Sequence, residues 1–237
     1  MNNSDDFIST VSHELRTPLT SIRGFAQTML GSWDKLDDDS KKKFLKIIEQ
    51  QSNRLINLVE NIQSVTKLSD ENIVLKSVDI NNAILPVIQM VSQQYKTHKF
   101  KTELNKNIPC AAVDIDKFQQ IMTNLTENAA KYSDEGKTVT VTTSFSDNSD
   151  YISVKVKDQG IGIDQKDAEK IFTKFSRLDN PLTRKAQGSG LGLYITKTLT
   201  EKMNGKISFT SDKNGTVFEV LLPIYNAGER VKCSVTS

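Results

Sequence analysis

The densest chemistry in the 237-residue sequence is the run Ser12-His13-Glu14-Leu15-Arg16-Thr17-Pro18-Leu19. On a wheel turning about 100° per residue, Phe7, Val11, Leu15, Pro18, Ile22, Phe25 and Met29 gather into one apolar stripe, and His13 falls opposite its centre. That position argues against a core imidazole and leaves two readings, an inert surface histidine or a nucleophile. The neighbours favour the second. Glu14 can accept the Nδ1 proton and leave Nε2 unprotonated near neutral pH. Thr17, one turn on, puts a hydroxyl on the same solvent face. Pro18 removes a backbone hydrogen bond and should bend the helix locally. His13, Glu14 and Thr17 are the expected catalytic group.

Phe7 together with the Ser12–Leu19 run resembles the H-box of two-component sensor histidine kinases. The resemblance implies that His13 is the phospho-acceptor and Glu14 its base partner. Through the pattern Glu14-x-x-Thr17 it also implies that Thr17 positions a water for dephosphorylating a partner response regulator.

A phosphoryl acceptor needs a donor site, and two common nucleotide motifs are absent. Neither Gly136-Lys137 nor Gly205-Lys206 has the earlier glycine of a P-loop. Gly188-Ser-Gly190-Leu-Gly192 has the wrong spacing for a dinucleotide fingerprint and follows a basic loop, not an apolar strand. Other residues fill the gap. On the helix expected near 118–133, Asn124, Asn128 and Lys131 lie within about 60° of one another, beside an apolar face of Phe118, Ile121, Leu125 and Tyr132. Amide oxygens can hold Mg²⁺ or its waters, and an ammonium can meet a phosphate. A solvated face accounts for the same residues.

Asp158-Gln-Gly160-Ile-Gly162 follows an apolar strand. A carboxylate there can accept from an exocyclic amino group such as adenine's, and the glycines allow close backbone approach to a ligand; a tight turn with an incidental Asp is the plainer alternative. Residues 176–188 form a long polar loop whose Arg177, Arg184 and Lys185 can reach phosphates. Gly188, Gly190, Leu191 and Gly192 then open a helix, where free amides cradle phosphate. Phe172 and Phe175, just upstream of the loop, read as packing anchors. In order, these strings resemble the N, G1, F and G2 boxes of the histidine-kinase ATP domain. That resemblance spans about residues 6–225 and implies the fold shared with gyrase, heat-shock-chaperone and mismatch-repair ATPases. It implies Mg²⁺ at Asn128, adenine at Asp158, ATP contacts from Tyr132 and the glycine turn, and a mobile lid over the triphosphate. Gly215-Thr216 resembles a last, weaker box whose usual preceding glycine is replaced by Lys213-Asn214.

The elements that must position these groups follow from periodicity. Residues 6–30 and 40–68 read as two long helices, with Gly31 ending the first and a Ser/Asp cluster capping the second. Phe44, Ile48, Gln51, Leu55, Leu58, Ile62 and Val65 step by 4 and 3 in turn, a heptad seam. Leu45, Ile56 and Val59 widen it beyond what one partner helix covers, so a homodimeric four-helix bundle is expected, with a monomeric hairpin as the alternative. Helices at 79–95, 114–133 and 189–203 alternate with strands around Val139–Phe145, Ile152–Val156, 205–211 and 216–222. The expected fold class is α + α/β: an N-terminal helical hairpin forming a dimeric four-helix bundle, followed by an α/β sandwich with helices on one face of a mixed sheet. The expected domains are a dimerisation and phosphotransfer hairpin at 1–68, a linker at 69–78, an ATP-binding domain at 79–227 and a tail at 228–237.

Composition sets outer limits. A net charge of +2 gives no electrostatic reason to expect nucleic acid as a partner. Two histidines and two cysteines exclude a His-rich metal centre and a disulfide framework. No apolar run nears the ~20 residues that cross a bilayer, so a cytoplasmic chain is expected, touching membrane only through a sensor region outside it. The resemblance implies an ATP-dependent protein-histidine kinase that passes phosphate from His13 to an aspartate of a response regulator. A response-regulator phosphatase, a gyrase-type ATPase without phospho-histidine and a non-catalytic dimerisation module are the rivals. Asn124, standing where gyrase-type ATPases carry a carboxylate, argues against the ATPase. Intact Asn128, Asp158 and glycines argue against the non-catalytic module.

Overall fold

The computed structural model describes residues 3–68, 72–146, 150–176 and 189–226. Helix α1 spans Asn3–Ser32 and α2 spans Asp38–Lys67, joined by a short 3₁₀ turn at Trp33–Lys35. Gly31 does not end α1; the helix passes through it to Ser32. The stop lies instead at the following turn, and Asp37 starts α2 by accepting from the Ser40 amide at 2.7 Å and its hydroxyl at 3.0 Å. These bonds hold the Asp37 carboxyl below its ordinary value, the backbone bond from Ser40 first. Pro18 sits inside α1 with its ring buried. Phe25 and Phe44 close the hairpin, ring centroids 5.2 Å apart. On its outer side Ile8, Leu19, Leu30, Leu45, Ile56 and Val59 remain exposed.

The rest of the chain is an α/β sandwich. A five-stranded sheet carries β2 (Lys99–Leu104), β4 (Thr138–Phe145), β5 (Tyr151–Lys157), β7 (Gly215–Pro223) and β6 (Lys206–Asp212), in that spatial order. Only the β2–β4 pair is parallel. Alternate residues Val139, Val141, Ile152, Val154, Val156, Val220 and Leu222 face the core. Against them pack α3 (Ile80–Gln94), α4 (Ile115–Lys131) and α5 (Gly192–Lys202), through Ile84, Val91, Phe118, Ile121, Leu125, Ile195 and Leu199.

Three strands go beyond the periodicity. β2 (KFKTEL) is a largely exposed edge strand: Lys99, Lys101 and Glu103 share one face and only Phe100 and Leu104 on the other are half-buried, too few apolar residues to mark a strand. β1 (Lys76–Val78) and β3 (Ala111–Val113) form a separate antiparallel pair and are too short to carry a pattern. β1 falls inside the stretch expected to be linker. Asp114 ties this region to α4: its carboxylate caps the helix by accepting from the amides of Asp116 and Lys117 and also takes the Val74 amide at 3.2 Å. Among the described residues no helix is long and apolar enough to cross a membrane.

Candidate active site

α4 buries Phe118, Ile121, Met122, Leu125 and Ala129 in the core and turns Asn124, Glu127, Asn128 and Lys131 the other way. This is the amphipathic split expected of a helix on a sheet. The Asn124 and Asn128 side chains have no hydrogen-bond partner among the described residues, although both are half-buried. Unpaired amides in such a place are costly unless a ligand or water meets them. The Lys131 ammonium lies 5.5 Å from the centre of the Tyr132 ring. The Tyr132 carbonyl accepts the Ile161 amide at 3.3 Å, which fixes the end of α4 to the loop after β5.

That loop is built around Asp158, which is buried. Its Oδ1 accepts from the Gly160 amide at 2.8 Å and the Thr216 amide at 2.9 Å, while its own amide donates to the Thr216 carbonyl. Oδ2 has no partner among the described residues. Burial pushes the Asp158 carboxyl above its ordinary value, and the two amide bonds work against that rise. A Cβ at Gly160 would overlap the Tyr132 carbonyl oxygen. Gly162, at φ +72°, would overlap the Asp212 carbonyl, so both positions demand glycine. A narrow pocket of about 80 Å³ opens on Asp158, walled by Tyr132, Ile161, Ile163, Ile171, Leu193 and Phe218, with Asn128 and Thr216 at its polar side. An apolar slot with one free carboxylate oxygen suits a flat heterocycle bearing an amino group. The Thr216 hydroxyl is shared with Ser211, 2.9 Å away.

Beyond Asn128 the slot opens into a cleft of about 740 Å³ between the sandwich and the hairpin. The sandwich contributes Asn124, Glu127, Asn128, Lys131, Ser189, Gly190 and Gly192. Gly190, at φ +69°, turns the chain into α5, and buried Leu191 anchors the turn. The α5 N-terminal amides stand beside Asn124, whose Oδ1 is 3.5 Å from where a Gly192 Cβ would lie. The hairpin contributes Gln50, Asn53, Arg54, Asn57 and Asn61 from one face of α2, and Glu14 from α1. Arg54 Nη2 lies 3.4 Å from Glu14 Oε2. His13 is exposed and does not line this cleft, because adjacent helical side chains diverge by about 100°. The Thr17 hydroxyl, also exposed, donates to the His13 carbonyl at 3.3 Å. Arg177, Arg184 and Gly188 lie outside the described residues.

The two phenylalanines do anchor. Phe172 packs edge-on against Phe209 and Phe218, and Phe175 meets Phe7 of α1 with ring centroids 5.4 Å apart. Sequence reasoning missed Arg54, Asn61 and Glu127. The spacing of Arg54, Asn57 and Asn61, which places them on one face of α2, was the available signal. Burial raises the Glu127 carboxyl, with Lys131 opposing, and pushes the neighbouring Tyr95 phenol up to about 12, helped by the charges of Glu127 and Tyr132.

Comparison with known proteins agrees with this geometry. Residues 3–71 match the His Kinase A (phospho-acceptor) domain, and residues 113–226 match the Histidine kinase-, DNA gyrase B-, and HSP90-like ATPase. Hairpin and sandwich together define a histidine-kinase catalytic core. The chain belongs to the two-component histidine kinase family. Sensor histidine kinase WalK of Bacillus subtilis is 33% identical over 228 residues, covering 92% of this chain and 36% of the relative. The sensor-like histidine kinase ycf26 of Porphyra purpurea is 35% identical over 231 residues, covering 90% and 35%. The chain thus spans about a third of the length of these curated relatives. Among solved structures, Acinetobacter baumannii histidine kinase AdeS shares the fold with a TM-score of 0.69 at 20% identity, over 90% of this chain and 98% of that one. Histidine kinase ThkA in complex with response regulator protein TrrA does so with a TM-score of 0.73 at 24% identity, over 94% and 63%.

Proposed function

We propose that this chain transfers the γ-phosphoryl group of ATP to His13 and then to an aspartate of a response regulator. One observation carries the reading: Glu14 of the hairpin and Asn124, Asn128 and the glycine turn of the sandwich bound a single cleft. Adenine enters the slot at Asp158 and Tyr132, held by its amino group on Oδ2. Its phosphates run past Lys131 to the amides of Gly190, Leu191 and Gly192. Mg²⁺ fits this donor set. Asn128 offers an unpartnered oxygen, and no group of three or more His, Cys, Asp or Glu that could hold a metal is found among the described residues. Such a site leaves the ion to phosphate oxygens and water, its usual company. Bound there, Mg²⁺ would supply charge neutralisation for the phosphates.

His13 Nε2 attacks the γ-phosphorus, the bond to the bridging oxygen breaks, ADP leaves, and Glu14 receives the Nδ1 proton of the imidazole. His13 must first reach the cleft, so the sandwich moves relative to the hairpin during the cycle. The regulator's carboxylate then attacks the same phosphorus and the P–N bond breaks. We take residues 1–68 as the phospho-acceptor unit and 79–227 as the ATP-binding unit. Two hairpins pair through the exposed Leu45, Ile56 and Val59 to make a homodimer. A response regulator is also the partner class named for the ThkA structure.

The test uses the full chain with Mg²⁺ and γ-labelled ATP. An acid-labile label is expected, and it should vanish in His13→Ala; persistence at the wild-type level would overturn the assignment. A phosphatase reading rests on the exposed Thr17 hydroxyl beside His13. With a phosphorylated response regulator added, Thr17→Ala should slow loss of phosphate from the regulator while His13 labelling continues.

A further inference from the structure

We infer that Asn61, on the phospho-acceptor hairpin, is a positioning residue for the ATP phosphates, acting through Ser189. The inference rests on the ATP-binding reading above and adds a coupling between hairpin and nucleotide. Asn61 Nδ2 donates to Ser189 Oγ at 3.2 Å, across 128 residues of sequence. The Leu191 amide donates to the same oxygen at 3.3 Å. A hydroxyl has two lone pairs and one O–H. Both lone pairs are thereby engaged, and the O–H has no acceptor among the described residues. Only one direction of the oxygen is left, and Ser189, Gly190 and Gly192 all line the cleft that also holds Asn124 and Asn128. The free O–H is thus a donor whose direction Asn61 sets, placed beside the α5 amides that suit an anion.

Asn61 is well held for the task. It lies between Leu58 and Val65, both buried in the core that the hairpin shares with the sandwich. A shift of α2 therefore moves the amide and frees the Ser189 hydroxyl to rotate. Hairpin position and phosphate binding are then coupled, and the coupling runs both ways: ATP on Ser189 tightens the hairpin against the sandwich.

The test is a double-mutant cycle on nucleotide affinity in the full chain, with Asn61→Ala, Ser189→Ala and the pair, each titrated with MgATP and with adenosine. One neutral hydrogen bond predicts that Asn61→Ala weakens ATP by about three- to tenfold. Ser189→Ala, which removes a hydrogen bond to a charged phosphate, should lose at least as much, and the double variant no more than Ser189→Ala alone. Adenosine, which has no phosphate, should bind all four proteins equally. Unchanged ATP affinity in Asn61→Ala, losses that multiply in the double variant, or an equal loss for adenosine would each overturn the inference while leaving ATP binding intact. Wild-type protein that binds neither ligand would overturn the ATP-binding reading itself.

Discussion

Asp158→Asn is the sharpest perturbation of the nucleotide site, because it changes charge and one donor while keeping shape. Oδ1 of Asp158 already accepts two backbone amides, at 2.8 and 2.9 Å. In the variant the amide oxygen must take that place, since only an acceptor satisfies those N–H groups. The NH₂ then occupies the position of Oδ2 and faces the slot. Adenine's exocyclic amine meets a donor where it had a carboxylate. Losing a hydrogen bond to a charged group costs about 1.5–3 kcal/mol, or roughly 10- to 100-fold in affinity. Stability should change little, because the buried charge disappears as the two amide bonds become neutral ones. Calorimetric titration with ATP and with inosine triphosphate reads the result. Inosine carries a carbonyl oxygen where adenine carries the amine, so the variant should narrow or reverse the preference for ATP. Wild-type ATP affinity in a folded Asp158→Asn protein would refute the reasoning, for adenine would then bind elsewhere.

The raised Asp158 carboxyl adds a pH signature: acceptance from adenine needs the carboxylate, so ATP affinity should fall on acidification earlier than an ordinary Asp would allow, and Asp158→Asn should lack that step. Gly162→Ala should lower the melting temperature and abolish ATP binding. The φ of +72° alone strains an alanine by about 1–3 kcal/mol, before its overlap with the Asp212 carbonyl. Gly24→Ala, in α1 with nothing within 4 Å of the added carbon, should instead stabilise by about 0.5–1 kcal/mol. Glu127 has its carboxyl raised in the fold, so the native state holds that proton more tightly than the unfolded chain. Its stabilising contribution is complete below the unfolded range and is lost as pH rises through the folded value. Thermal unfolding of Glu127→Gln should therefore show a gain over wild type near neutral pH that disappears in acid; a variant less stable at neutral pH would count against this.

Local pattern was enough for the parts of the fold that repeat. α1, α2, α3 and α4 are long and periodic, and the alternation in β4, β5 and β7 marks their buried faces, so each announces itself within its own residues. The candidate site residues were legible for the same reason: His13 with Glu14 and Thr17, and Asp158 with its glycines, are contiguous strings. The glycines at 160 and 162 read from sequence as close approach to a ligand, but the groups that crowd them are protein carbonyls, those of Tyr132 and Asp212, which come from other elements.

Tertiary structure decided the rest. β1 and β3 exist because they pair with each other, and β2 because it pairs with β4 at a sheet edge that tolerates a face of Lys99, Lys101 and Glu103. The end of α1 was misplaced at Gly31, since a single glycine in a solvent-facing turn lowers helix propensity without stopping a helix already nucleated. Arg54 meets Glu14 only through the register of the hairpin, 40 residues apart, and Asn61 meets Ser189 only because Leu58 and Val65 dock α2 on the sandwich. A side chain's own neighbours in sequence fix its helix face and its chemistry. Its partner across a cleft depends on how two buried surfaces seat against each other, and that is a property of the folded chain alone.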